Sequence, residues 1–188
     1  MLNLHATLPR SRANGPGMRF TIWFQGCSLG CPGCFNPDTH PFDPRLPVAP
    51  GDMVERLAQD EAAVEGITIS GGEPFEQPDG LLDLLRGARA RTRLSVILFS
   101  GYTLPEITAQ LKGRDILNCT DVLIAGRYDQ TQRLASGLRG STNKTVHLLT
   151  NRYSVHDIET TPAAEVLIGP DGSVTASGIN PPAFRVGS

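Results

Sequence analysis

The sequence predicts an α/β fold: a single domain over residues 1–188, built as an open or partial β/α barrel around a mostly parallel sheet. Three observations lead there. Short runs rich in β-branched and aromatic residues alternate with amphipathic stretches of helical period, the pattern of βαβ units. The 188 residues are too few for a closed eight-fold barrel, which takes about 250, and close to the span of one domain. Glycine-rich turns fall where the strand-like runs end, and ligands of such sheets bind at the carboxyl ends of the strands.

No element is assigned before Met18. Met18–Gln25 (MRFTIWFQ) reads as the first strand and stops at Gly26. The stretch 26–51 is the most irregular of the chain, rich in Pro and Gly, and its loop 26–40 carries three of the four cysteines. Asp52 with Glu55 three residues on has the form of a capping box, and Val54, Leu57, Ala58 and Glu61 follow at helical spacing. Gly66–Ser70 is a short strand. Pro78 opens a second helix, in which Leu81, Leu84, Leu85 and Ala88 make an i, i+3, i+4, i+7 stripe. Leu94–Phe99 is the third strand and Leu104–Lys112 the third helix; Asp121–Ala125 and Thr145–Leu149 are further strands. Apolar runs on either side of Pro170-Asp171-Gly172 make a hairpin over about residues 164–178. Gly26, Ser70, Ser100 and Gly126 each follow or close a strand.

Bulk composition excludes several classes. Hydrophobic residues make up 39% and the formal net charge is −2, which favours neither a nucleic-acid surface nor a membrane surface. No apolar run reaches the roughly 18 residues of a membrane span. Residues 1–12 lack the apolar core of a signal peptide, so a cytoplasmic location is expected. In that reducing compartment clustered thiols point to metal or redox chemistry. Cys119 stands alone and reads as a small core residue. His5, His147 and His156 show no ligand spacing.

The cysteines are spaced C-x3-C-x2-C as Cys27-Ser-Leu-Gly-Cys31-Pro-Gly-Cys34. The same numbers fit a buried helix stripe, but Gly30, Pro32 and Gly33 lie inside it. Two glycines and a proline would cost such a helix on the order of 5 kcal/mol. A loop is therefore expected, with backbone N–H groups free to bond sulfur. Structural zinc and electron-transfer clusters both take four ligands. His40, six residues after Cys34, is the nearest further candidate and reads as a packing or hydrogen-bonding residue. Three thiolates on a four-iron cluster would leave one iron open to a substrate. Spacing alone leaves zinc, a cluster and a plain core in competition.

C-x3-C-x2-C in a loop after the first strand resembles the signature of the radical S-adenosylmethionine superfamily. Ser70-Gly71-Gly72-Glu73-Pro74, directly after the second strand, resembles that superfamily's GGEP element. Gly15-Pro-Gly-Met-Arg19 is similar to the entry segment of glycyl-radical-enzyme activases. Cys31-Pro-Gly-Cys34-Phe-Asn36, Phe99-Ser-Gly-Tyr-Thr103, Asp121-Val-Leu-Ile-Ala-Gly126 and Arg139-Gly-Ser-Thr-Asn143 resemble segments of the anaerobic ribonucleoside-triphosphate reductase activating-protein family. The likeness runs from about residue 15 to 143, and the closing hairpin fits it too. Two positions depart: Ala125 stands where the pattern has an acidic residue that helps hold a cation or polar group near the cofactor, and Asn14 replaces an acidic residue before the Gly-Pro-Gly.

The resemblance implies a radical S-adenosylmethionine type of partial barrel. It implies one [4Fe-4S] cluster on Cys27, Cys31 and Cys34, with S-adenosyl-L-methionine as second cofactor. Gly71, Gly72 and Glu73 would contact the methionine moiety, Glu73 accepting from its ammonium. Ser100, Gly101 and Tyr102 would line the ribose or adenine side, the alternative for Tyr102 being an aromatic cover over a strand end. Ser141 and Asn143 would meet the cofactor carboxylate or else cap a turn. The activity implied is reductive cleavage to a 5′-deoxyadenosyl radical. Its target would be a glycine of a partner such as anaerobic ribonucleotide reductase, with a reducing electron donor. Radical chemistry on a small metabolite or ribosomal peptide, and a metal-binding module without turnover, are the rival readings.

Overall fold

A computed structural model describes residues 1–182; positions 183–188 of the expected domain lie outside the described residues. In chain order the strands and helices are β1 (Leu2–Ser11), β2 (Arg19–Phe24), β3 (Leu46–Val48), α1 (Pro50–Asp60), β4 (Gly66–Gly71), α2 (Pro78–Arg91), β5 (Ser95–Phe99), α3 (Leu104–Ala109), α4 (Gly113–Asn118), β6 (Val122–Ala125), β7 (Arg133–Ser136), β8 (Arg139–Ser141), β9 (Thr145–Leu148), α5 (Val155–Glu159), β10 (Ala164–Ile168) and β11 (Val174–Gly178). Seven strands form one sheet in the order β3-β1-β2-β4-β5-β6-β9. Its centre, β2-β4-β5-β6, is parallel, and the flanking pairs are antiparallel. The sheet is mixed and mostly parallel at its core, compatible with an open barrel. No helix among the described residues is long and apolar enough to cross a membrane.

Side-chain alternation divides the sheet's two faces. Phe20, Ile22 and Phe24 of β2, Ile67 and Ile69 of β4, and Val96 and Leu98 of β5 join Leu57 of α1 and Leu81, Leu84 and Leu85 of α2 in the main core. The opposite face carries Thr21 and Trp23, Thr68 and Ser70, Ile97 and Phe99, Val122 and Ile124, aligned across the parallel registers. Ile97, Val122 and Ile124 pack there on Leu138 and Ile158 in a smaller cluster. Trp23, Ser70 and Phe99, nearer the carboxyl ends, are left to line an open cavity.

Two helix boundaries differ from the expectation. The helix assigned to an Asp52 cap begins earlier: Pro50 holds its first turn behind Ala49, whose carbonyl accepts from Met53 N. Proline's fixed φ suits a first helical position, and Asp52 then complements the helix dipole from within the first turn. The helix expected over 104–112 stops at Ala109 after a Thr103–Glu106 capping box, and α4 starts afresh at Gly113. A Cβ at Gly113 would lie 1.7 Å from the Ile107 carbonyl oxygen, so the chain doubles back there and buries both Ile107 and Ile116. Also unassigned in the sequence reading are β3, β7, β8, α5 and the ten-residue strand β1. Its Leu2 and Leu4 are fully buried, and it is held to β2 across two register shifts. The hairpin expected at 164–178 is present as β10–β11.

Candidate functional site

The carboxyl ends of the parallel strands meet at a cavity open to solvent. Cys27, Cys31 and Cys34 line it together with Gly71, Gly72, Glu73, Ser100 and Gly101. The loop after β2 is anchored at both ends: Gly26 N donates to the Thr39 carbonyl at 2.8 Å and Cys27 N to that of His40 at 3.1 Å. Between these anchors Gly30 and Gly33 sit at φ +57° and +67°, left-handed values that glycine adopts without penalty. The stretch is a loop, as its Gly and Pro content predicted.

Its backbone turns donors toward sulfur. Asn36 N lies 3.5 Å from Cys34 Sγ, and the N–H groups of Leu29 and Gly30 face Cys27. Burial pushes the Cys27 and Cys34 thiols up, and these donors oppose the shift. Among the described residues no three Cys, His, Asp or Glu side chains converge closely enough to hold one metal ion. The three thiols line one cavity with backbone N–H groups turned toward sulfur, a donor set that an iron–sulfur cluster can use.

The turn after β4 lies directly under this loop. Gly72 N donates to the Phe24 carbonyl and Glu73 N to that of Gly26, both at 2.9 Å. A Cβ on Gly72 would stand 2.3 Å from the Gly26 oxygen, so only glycine permits this approach. Glu73 is fully buried, and its carboxylate accepts from Phe75 N (3.0 Å), Ser100 Oγ (3.0 Å) and Gly101 N (2.7 Å). Three of about four acceptor positions are thus taken. Burial pushes this carboxyl up to about 7, against the pull of the three donors and of Lys144.

The remaining expected residues divide. Ser100 and Gly101 reach the cavity wall while serving Glu73, and Ser100 Oγ also accepts from Tyr102 N. Tyr102 stands outside the lining, its ring 5.5 Å beneath the Arg127 guanidinium. Ser141 is buried and accepts from Asp129 N, and Asn143 donates to the Arg127 carbonyl; neither lines the cavity. Their neighbours Gly140 and Lys144 do. The methyl of Ala125 packs in the main core. Asn14 uses a capacity no carboxylate has, donating 2.6 Å bonds to both Ser11 Oγ and Ser177 Oγ. It thereby ties the end of β1 to β11, whose last residue, Gly178, lines the cavity as Asn14 itself does.

Sequence reasoning missed Lys144, the pair Phe35–Tyr128 (edge to face at 4.9 Å) and the aromatic wall of Trp23 and Phe99. Lys144 was open to notice, being one of two lysines among seventeen basic residues. It is 8% exposed, and its Nζ donates to the Gly126 carbonyl. Burial pushes its ammonium below the ordinary lysine value, and the charges of Glu73, Cys31 and Cys34 oppose that shift.

Residues 13–147 match the family described as a 4Fe-4S single cluster domain. Over 157 residues the chain is 32% identical to the anaerobic ribonucleoside-triphosphate reductase-activating protein of Escherichia coli strain K12, covering 79% of this chain and 99% of that one. This chain belongs to that activating-protein family. The Pasteurella multocida member is 31% identical over 150 residues, covering 76% of this chain and 94% of its own length. The pyruvate formate-lyase-activating enzyme of Clostridium pasteurianum is 29% identical over 121 residues, 62% of this chain and 51% of that enzyme. The family model makes this an iron–sulfur protein related to activating proteins of glycyl-radical enzymes, which favours a cluster among the three readings left open by cysteine spacing.

Proposed function

We propose that Cys27, Cys31 and Cys34 hold one [4Fe-4S] cluster, that S-adenosyl-L-methionine binds beside it, and that the chain installs a glycyl radical on a partner enzyme such as anaerobic ribonucleotide reductase. Held by these cysteines and reduced by an external donor, the cluster would supply the electron for reductive cleavage of the sulfonium, and so the radical that would take a hydrogen atom from the target glycine. The single domain expected over 1–188 would carry the whole reaction.

The observation that carries this reading is the placing of three thiols and the Gly71-Gly72-Glu73 turn on one cavity wall. The remaining tasks fall to the chain's own atoms. N–H groups of Leu29, Gly30 and Asn36 stabilise thiolate sulfur in a partly buried loop. Gly71 and Gly72 let the backbone come close to the methionine portion. Glu73 keeps an acceptor position for the ligand's ammonium, and a cation there favours its charged form, which burial alone disfavours. Trp23, Phe99, Phe35 and Tyr128 give the cavity apolar walls that keep water from a reactive carbon radical. Ser141 and Asn143 serve by fixing the segment that presents Lys144, and Tyr102 by covering the end of β5.

Anaerobic reconstitution followed by reduction with S-adenosyl-L-methionine tests the reading. 5′-Deoxyadenosine should form and should vanish in Cys31→Ala; a fully loaded protein that makes none would favour a binding module without turnover. A glycyl radical seen by electron paramagnetic resonance after a reductase is added would identify the target. Its absence, with deoxyadenosine still formed, would move the target to a small metabolite or a peptide.

A further inference from the structure

We infer that Lys144 is the charge-balancing residue of the cluster site: its ammonium offsets the negative charge of the thiolate-bound core on the Cys31–Cys34 side and makes that core easier to reduce. The inference rests on the cluster reading above.

Lys144 lies nine-tenths buried on the wall of the cavity that the three cysteines share. An ammonium has three donors. The only acceptor of Nζ among the described residues is the Gly126 carbonyl, and no carboxylate there lies within ion-pair distance. Glu73, the buried carboxylate on this wall, acts on Lys144 only through space, its hydrogen bonds going to Phe75, Ser100 and Gly101. A buried cation held by one neutral carbonyl is costly unless an anion arrives. The anions this cavity is built to hold are the Cys31 and Cys34 thiolates, and both act electrostatically on Lys144. Reduction adds one electron, and so one further negative charge, to a site already carrying three thiolates. A fixed cation close by favours that charged state, and partial exclusion of water strengthens the effect.

The test uses the reconstituted holoprotein without S-adenosyl-L-methionine, reduced stepwise with dithionite and redox mediators. The reduced fraction is read by electron paramagnetic resonance per loaded cluster, with iron assayed. At the poise where the unmodified protein is half reduced, Lys144→Gln and Lys144→Met should show a reduced-to-oxidised ratio lower by about tenfold, equivalent to about 59 mV for one electron. Lys144→Arg, which keeps the charge, should stay within about twofold. An unshifted ratio in both neutral variants, at full iron content, overturns the inference. An unshifted ratio together with weakened S-adenosyl-L-methionine binding also overturns it, because the ammonium would then serve the ligand's carboxylate. Unmodified protein that takes up no iron would instead overturn the cluster reading itself, and this inference with it.

Discussion

Arg19 and Lys144 are both buried cations on the cavity side of the sheet, yet they are treated in opposite ways. Arg19 is fully buried, and its guanidinium makes five hydrogen bonds, to Thr68 Oγ1, Ser95 Oγ, Tyr153 Oη and the carbonyls of Ile67 and Ser95. Glu65 stands one bond further out, accepting from Tyr153 at 2.7 Å. Every donor has a partner within the chain, so Arg19 is a strut between the amino-terminal ends of β2, β4 and β5. Lys144, at the opposite end of the strands, has one acceptor and a cavity in front of it. The difference teaches how to read a buried charge: a satisfied one holds the fold, and an unsatisfied one marks where a ligand belongs.

The two cations should differ most in what they contribute to stability. Arg19→Met should lower the unfolding free energy of the cluster-free protein by about 3 kcal/mol or more, since bonds to a charged group contribute about 1.5–3 kcal/mol each. Lys144→Met should change it by no more than about 1 kcal/mol, because an apolar side chain of similar volume removes a desolvation cost. Urea midpoints decide; equal losses would erase the distinction between strut and ligand-facing charge.

A second expectation concerns pH. Glu73 is pushed up to about 7 from an ordinary value of 4.5, chiefly by burial. The folded chain therefore binds more protons than the unfolded chain between those values, and this group's contribution to stability falls as pH rises through that window. In cluster-free protein, Glu73→Gln should flatten the pH dependence between about pH 5 and about pH 7.5. Lys144→Met should steepen it, because the ammonium lowers the Glu73 value. Indifference of the slope to both changes would show that the carboxyl titrates normally. The smallest expected effect is that of Tyr153→Phe, which removes one partner each from Arg19, Ser95 and Glu65. It should cost about 1 kcal/mol and leave cluster loading as it was.

Much of the site was legible because it is local. Cys27, Cys31 and Cys34 lie within eight residues, and Gly30, Pro32 and Gly33 make any conformation but a loop expensive. The GGEP turn was visible for the same reason. Less legible were roles set by partners far along the chain. Glu73 was expected to face the ligand's ammonium; about half of its capacity goes to Ser100 and Gly101, 27 and 28 residues later. Around β8, Gly140 and Lys144 line the cavity where Ser141 and Asn143 were expected. Strand β1 went unassigned although its alternating Leu2 and Leu4 were there to be seen.

Read alone, the sequence determined the alternation of strands and helices, the cysteine loop, the glycine turn beside it and the hairpin at the end. Each of these rests on backbone preferences and spacings within about ten residues. Tertiary structure alone decided which buried charges are satisfied, that the Gly26 carbonyl rests on Gly72, and that Lys144 looks into the thiol cavity while Asn143 turns away. The physical reason is that a side chain's polar partners come from whichever strands the sheet order sets beside it. That order, with β1 and β2 next to β4 and β6 next to β9, is fixed by packing across the whole core.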